Sequence, residues 1–192
     1  SGGGLLESLS RDCLEMRLAL VIEYEGTNYH GFQYQSNAPS IQEEIEKAIA
    51  QLTGERSRIK AAGRTDTGVH AKAQVVAFDT STSRSLTSFV QGLNFYLPDD
   101  IAVKAAYRTG EDFDPRRMAM SRRYRYTIDT GPAPSPLTRR TSFHIGGRPD
   151  IGTMRSAAAL LVGSHDFARF GGPLAEPEAS TVREIYEAQV RE

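Results

Sequence analysis

One cysteine, Cys13, stands in the whole 192-residue chain, so no intramolecular disulfide can staple the fold and a packed core must hold it. Neither sign of charge is in excess. Against 24 Asp and Glu there are 23 Lys and Arg, a formal net charge of −1, so a polyanionic partner would have to be met by local basic clusters. No apolar run approaches the ~20 residues of a membrane-spanning helix, and no signal peptide is recognisable. These absences argue against membrane insertion and for a cytoplasmic protein. Apolar residues make up 39% of the chain, enough to fill one large core or two small ones. Ser1 to Gly4 reads as a flexible leader or an expression remnant, and residues 1–16 are set apart from the fold.

From Arg17 to Glu25, Leu18, Leu20 and Ile22 alternate with Ala19, Val21 and Glu23, the period of a half-buried strand. Residues 26–35, with Gly26, Tyr29, Gly31, Phe32 and Tyr34, read as a surface loop able to stack on something flat. Ser40 can cap a helix with Glu43 completing the capping box; Ile41, Ile45, Ala48, Ile49 and Leu52 share its apolar face and Gly54 stops it. Strands are expected at 59–62, 73–80 and 101–107, with a second helix opening at Ser85 and carrying Leu86, Phe89, Val90 and Leu93. The order β-α-β-β-α-β is that of a ferredoxin-like (split βαβ) domain, an antiparallel sheet with both helices on one face. Residues 17–110 are assigned to it.

A second cycle is expected over 111–192. Tyr124, Tyr126 and Ile128 alternate with Arg123, Arg125 and Thr127 as a strand with an aromatic and a basic face. Asp150 can cap a helix carrying Ile151, Met154, Ala158, Leu161 and Val162, and 184–190 alternates as another strand. The pattern stops at β-α-β. The fold class expected is therefore α+β, two ferredoxin-like domains with antiparallel sheets, the second incomplete in this chain.

Chemistry concentrates in Ala62-Gly63-Arg64-Thr65-Asp66-Thr67-Gly68-Val69-His70-Ala71, between two strands. Gly63 and Gly68 would let the chain bend on both sides of Asp66. For an isolated Thr-Asp-Thr-Gly, a turn aspartate satisfying backbone N–H groups is the commoner reading. Arg64 beside it favours an ionised, oriented carboxylate, which a nucleophile or general base needs. Asp66 and His70 lack a convincing third ligand among His30, His144 and His165, so no metal site is assigned. His70 is read as a hydrogen-bonded loop residue. Arg122-Arg123-Tyr124-Arg125-Tyr126 is either a solvated strand face or an RNA-reading surface in which rings stack on bases and guanidinium groups hold phosphates. Arg116-Arg117, Arg139-Arg140 and the stretch 56–60 add local basic patches. Ser164-His165-Asp166 is too contiguous to be a triad and reads as a loop anchored by Phe167 and Phe170.

The segment 63–71 resembles the active-site motif of the TruA family of tRNA pseudouridine synthases. So, in the same order, do Tyr24-Glu25-Gly26 with Gly31-Phe32-Gln33-Tyr34-Gln35, Ser40-Ile41-Gln42-Glu43, Phe113-Asp114-Pro115-Arg116, Arg122-Arg123-Tyr124-Arg125-Tyr126 and Gly163-Ser164-His165-Asp166-Phe167. The resemblance implies that Asp66 is the catalytic aspartate, that Arg64 pairs with it and fills the gap left by the target base, and that Tyr124 packs on the uracil. It further implies tRNA as substrate, uridines around positions 38 to 40 of the anticodon stem-loop as targets, a homodimer, and neither metal nor cofactor. Arg116, Arg122, Arg123, Arg139 and Arg140 become candidate RNA contacts. Isomerising uridine breaks the N1–ribose bond and rejoins the uracil through C5, which needs no redox centre. Whether Asp66 attacks the base, attacks the ribose or removes a ribose proton is open at this level. Family members continue with an apolar segment containing a Met-Val-Arg-Asn-like helix, and nothing here matches it. The rival from another class is a non-catalytic RNA-binding protein of two ferredoxin-like domains, against which stands the lack of a Gly-Phe-Gly-Phe pattern on the first sheet.

Overall fold

The computed structural model describes residues 16–171 and 180–192. Residues 1–15 of the expected leader, Cys13 among them, and most of the stretch 171–181 lie outside the described residues; Met16, set apart with the leader, instead opens the first strand. By their contacts the residues fall into two compact units, one running to Arg125 and one from Tyr126 to Glu192.

The first unit is built on β1 (Met16–Tyr24), α1 (Ile41–Thr53), β2 (Lys60–Ala61), β3 (Ala71–Thr80), α2 (Leu86–Tyr96) and β4 (Ile101–Thr109). Its sheet has the order β2-β3-β1-β4 with every pair antiparallel, which is the split βαβ arrangement expected. Leu18, Leu20 and Ile22 of β1 point to one face, with Val76 and Phe78 of β3 and Ile101 and Val103 of β4. Over them pack Ile41, Ile45 and Ile49 of α1 and Phe89 and Leu93 of α2, all buried. Phe78 meets Phe89 edge-on at 6.2 Å between ring centres. Ser40 Oγ accepts from Glu43 N, and Gly54 closes the helix in the left-handed conformation at φ 79°. The Glu43 carboxylate turns outward to Lys47 at 3.0 Å.

Two polar ties close this unit. Arg17 forks onto Asp79 across the β1–β3 pair at 2.8 and 2.7 Å, and its Nη1 donates to Glu111 O and Phe113 O, drawing the segment after β4 back to the sheet. Glu55, just past α1, accepts from Thr80 Oγ1 at 2.6 Å, from Ser81 N and from Ser81 Oγ, satisfying the buried Thr80 hydroxyl. Burial alone would push the Glu55 carboxyl up; the Ser81 and Thr80 hydrogen bonds together outweigh it and hold the group below its ordinary value. A depressed carboxylate contributes stability above its unfolded pKa and loses it as pH falls through the folded one. Glu55→Gln should therefore lower the urea midpoint at pH 7, and the gap from wild type should close as the pH drops below the carboxylate range. A gap independent of pH would contradict this.

Beyond β4 the expected strand over 123–128 is replaced by two residues in the second unit, β5 (Ile128–Asp129), paired in parallel with β6 (Phe143–His144). β-propensity and alternation over 123–127 do not make a strand without a partner for its hydrogen bonds, and among the described residues Thr127 O is met, by Phe143 N at 2.8 Å. α3 (Ile151–Ala159) is capped by Asp150 as expected but ends before Leu161 and Val162 and buries none of its residues. β7 (Gly163–Asp166), expected as a loop, pairs antiparallel with β8 (Val182–Ile185), which lies earlier than the strand expected at 184–190. Phe170, expected as an anchor, is 84% exposed. In place of the one antiparallel sheet expected for this half, the described residues form two separate two-stranded ladders, one parallel and one antiparallel.

Candidate active site

The Asp66 loop leaves β2 at Ala62 and joins β3 at Ala71, at the sheet end where β1 finishes on Tyr24. There β1 breaks register with both neighbours, against β4 between Val21 and Ile22 and against β3 between Ile22 and Tyr24, which raises the local twist.

A second loop, 25–35, lies against it. Instead of a free aromatic surface, this stretch places Tyr29 and Phe32 in the core and turns its backbone toward the Asp66 loop. Phe32 N donates to Thr65 O at 2.9 Å, Gly68 N to Tyr29 O at 3.3 Å, and Gly26 N to His70 Nδ1 at 2.9 Å. Thr65 Oγ1 shares a 2.8 Å hydrogen bond with the buried Tyr24 hydroxyl, whose pKa is raised by burial. His70 is accordingly the hydrogen-bonded loop residue expected. The clamping loop is itself fixed by α1, whose first N–H groups at Ile41 and Gln42 donate to Gly31 O and Phe32 O. On the other side Tyr29 donates its hydroxyl to Asp100 at 2.6 Å, an acceptor that together with burial pushes the phenol up.

Two glycines make this approach feasible. A Cβ on Gly26 would stand 2.1 Å from Val69 O, and one on Gly31, already at φ 96°, would stand 2.9 Å from Thr65 O. Gly68 has the positive φ expected for a bend, at 77°. Gly63 does not, and it is crossed by the Arg122 side chain, 3.3 Å from where its Cβ would be.

With the backbone held on both sides, the polar tips are left outward. Asp66 accepts from Val69 N through its backbone carbonyl, while its exposed carboxylate has no hydrogen-bond or ion-pair partner among the described residues. The Arg64 guanidinium is likewise exposed, and no ion pair joins it to Asp66. An aspartate retained to close a turn would use its side chain on the turn's N–H groups, as Asp114 does with Arg116 N and Arg117 N at 2.9 and 3.0 Å. Asp114 is held low by those N–H groups and by the Lys60 and Arg117 charges; Asp66 has no such structural employment.

The remaining expected residues are placed as follows. Tyr124 and Tyr126 are 83% and 81% exposed. Arg116 and Arg123 are exposed, Arg139 donates to Pro136 O at 3.2 Å, and Arg122 turns its guanidinium to Ala62 O. Asp166 accepts from Thr181 Oγ1 and Ala168 N, a structural role that fits the reading against a triad. Sequence reasoning missed the clamp formed by Tyr24, Gly26, Gly31 and Phe32. Its signal was the pair of glycines flanking Tyr29 in a stretch too apolar for an idle linker.

Fold and site together define a class: an α+β protein whose antiparallel split βαβ sheet carries, at one end, a backbone-clamped loop presenting an unengaged carboxylate. A family model described as tRNA pseudouridine synthase matches residues 20–116. The protein named tRNA pseudouridine synthase A of Roseiflexus castenholzii is 47% identical over 173 residues, 90% of this chain and 63% of that relative. Those of Geobacter sulfurreducens and Geotalea uraniireducens are 49% and 43% identical, covering 80% and 91% of this chain and 63% and 71% of theirs. The chain belongs to the TruA family of tRNA pseudouridine synthases. It spans about two thirds of the length of these relatives, 63% for the first.

Proposed function

We propose that this protein isomerises uridine to pseudouridine in tRNA, with Asp66 as the catalytic carboxylate. The observation that carries the reading is the Asp66 side chain itself, unengaged among the described residues at the tip of a loop held by Tyr24 of β1 and by the 25–35 loop, which α1 fixes in turn. Each route for the reaction, through attack on the base, attack on the ribose or loss of a ribose proton, depends on one such carboxylate. The substrate uridine leaves its stack to reach it; Arg64 fills the gap and Tyr124 packs on the uracil, offsetting an unstacking cost of a few kcal/mol. The targets are uridines around positions 38 to 40 of the anticodon stem-loop. Arg116, Arg123, Arg139 and Arg140 hold tRNA phosphates, the working form is a homodimer in the cytoplasm built from two ferredoxin-like domains per chain, and neither metal nor cofactor takes part.

The test incubates the intact protein with an unmodified tRNA transcript and maps pseudouridine along it. Formation in the anticodon arm is expected; tRNA that is bound but unmodified would turn the reading to a non-catalytic RNA-binding protein. In the same assay Tyr124→Ala should lower the saturating rate about 10- to 100-fold, the scale of one lost base–aromatic stack, while tRNA affinity stays within about 3-fold. Equal losses in both would make Tyr124 a docking residue only.

A further inference from the structure

After β4 the chain returns to the foot of the Asp66 loop. Arg122 donates to Ala62 O from Nε at 3.2 Å and from Nη2 at 2.6 Å, and Nη2 also lies 3.4 Å from Arg116 O. Its side chain crosses Gly63, with Nε 3.3 Å and Cδ 3.8 Å from the Cβ position of that glycine. β3 holds the same two residues from the opposite side: Ala62 N donates to Val75 O at 2.8 Å, and Gln74 Nε2 donates to Gly63 O at 2.7 Å. The Ala62–Gly63 peptide is thus gripped immediately before Arg64, and the residue that grips it lies two positions before Tyr124 in the chain. A guanidinium serving only phosphates would leave its donors to solvent. This one directs two of them to a single backbone carbonyl, a charge-assisted, fork-shaped contact that fixes direction as well as distance.

We propose that Arg122 is a positioning residue, a strap that ties the segment bearing Tyr124 to the foot of the loop bearing Asp66 and so sets the geometry in which the two act on one uridine. The inference rests on the assignment of Asp66 as the catalytic carboxylate. Reacting groups must be held to within a fraction of an ångström, so releasing the strap lowers the rate at saturating substrate without removing a phosphate contact.

The experiment compares the intact wild type with Arg122→Gln, Arg122→Lys and Gly63→Ala for single-turnover rate at saturating tRNA, for tRNA affinity, and for the salt dependence of that affinity. Folding is checked by thermal unfolding. The expected result is a saturating rate about 10- to 100-fold lower in Arg122→Gln, with affinity and salt slope at wild-type values. Lysine keeps the charge but lacks the fork and should not restore the rate. Gly63→Ala, which presses on Nε and leaves the charge untouched, should reproduce the loss, and it carries the test if Arg122→Gln does not fold. An unchanged saturating rate with weaker binding and a salt slope reduced by about one would make Arg122 a phosphate contact and overturn the proposal. Full rescue by lysine, or a wild-type rate in Gly63→Ala, would overturn it as well. A wild type that forms no pseudouridine removes the proposed function, and this inference with it.

Discussion

Asp66→Asn should abolish pseudouridine formation, by at least about 10³-fold in the single-turnover rate, while the protein folds and binds tRNA as before. The asparagine is isosteric, and the loop's own hydrogen bond to Val69 uses the backbone carbonyl of residue 66, which the substitution leaves alone. Because the carboxylate has no partner among the described residues, its removal breaks no hydrogen bond, and the stability change should stay within the ±0.5 kcal/mol usual for a surface substitution. Affinity for tRNA should hold or tighten slightly, since a negative charge has been taken from a surface that meets phosphates. Residual turnover within 10-fold of wild type would show that the carboxylate of Asp66 is not the reacting group.

The second large effect is expected from Gly26→Ala. A methyl group there would lie 2.1 Å from Val69 O and 3.3 Å from Gly68 C, both backbone atoms of the loop, so no side chain can swing aside to make room. Either the 25–35 loop or the Asp66 loop must move, and the hydrogen bond from Gly26 N to His70 Nδ1 is strained with it. Overpacking of this kind costs about 1–3 kcal/mol. A loop displaced by an ångström should lose about 10²-fold in rate. Gly54→Ala is the control: it also replaces a glycine, at φ 79°, but meets no atom within 4 Å and lies at the far end of α1. It should cost roughly 1 kcal/mol of stability from backbone strain and leave the rate alone. The comparison reads chemical denaturation beside single-turnover kinetics; wild-type stability and rate in Gly26→Ala would mean that the two loops are not packed as described.

Elements bounded by their own chemistry were legible residue by residue. Ser40 and Gly54 delimit α1, Ser85 starts α2, and Asp150 caps α3, because a cap is a contact between neighbours in the chain. The alternation in β1 placed Leu18, Leu20 and Ile22 on the buried face for a similarly local reason, the period of two. At 123–127 the same alternation led astray. A strand is completed by a partner, and among the described residues little pairs with that stretch beyond Thr127 O.

The site divides along the same line. Composition and spacing in 62–71 were sufficient to single out Asp66, with Arg64 beside it and His70 as a hydrogen-bonded loop residue, since those features sit within one short segment. They could not distinguish an aspartate that closes a turn from one held out for chemistry. That depended on where the loop's hydrogen bonds go: to Phe32, Tyr29 and Gly26, some 33 to 44 positions away, and to Arg122, sixty positions on. Contacts of such range are set by the close approach of β1, α1 and β3 around one core, and a linear pattern carries no record of the distance between them. Local periodicity and caps named the elements and the reactive loop; packing between distant segments made that loop rigid and left its carboxylate unengaged.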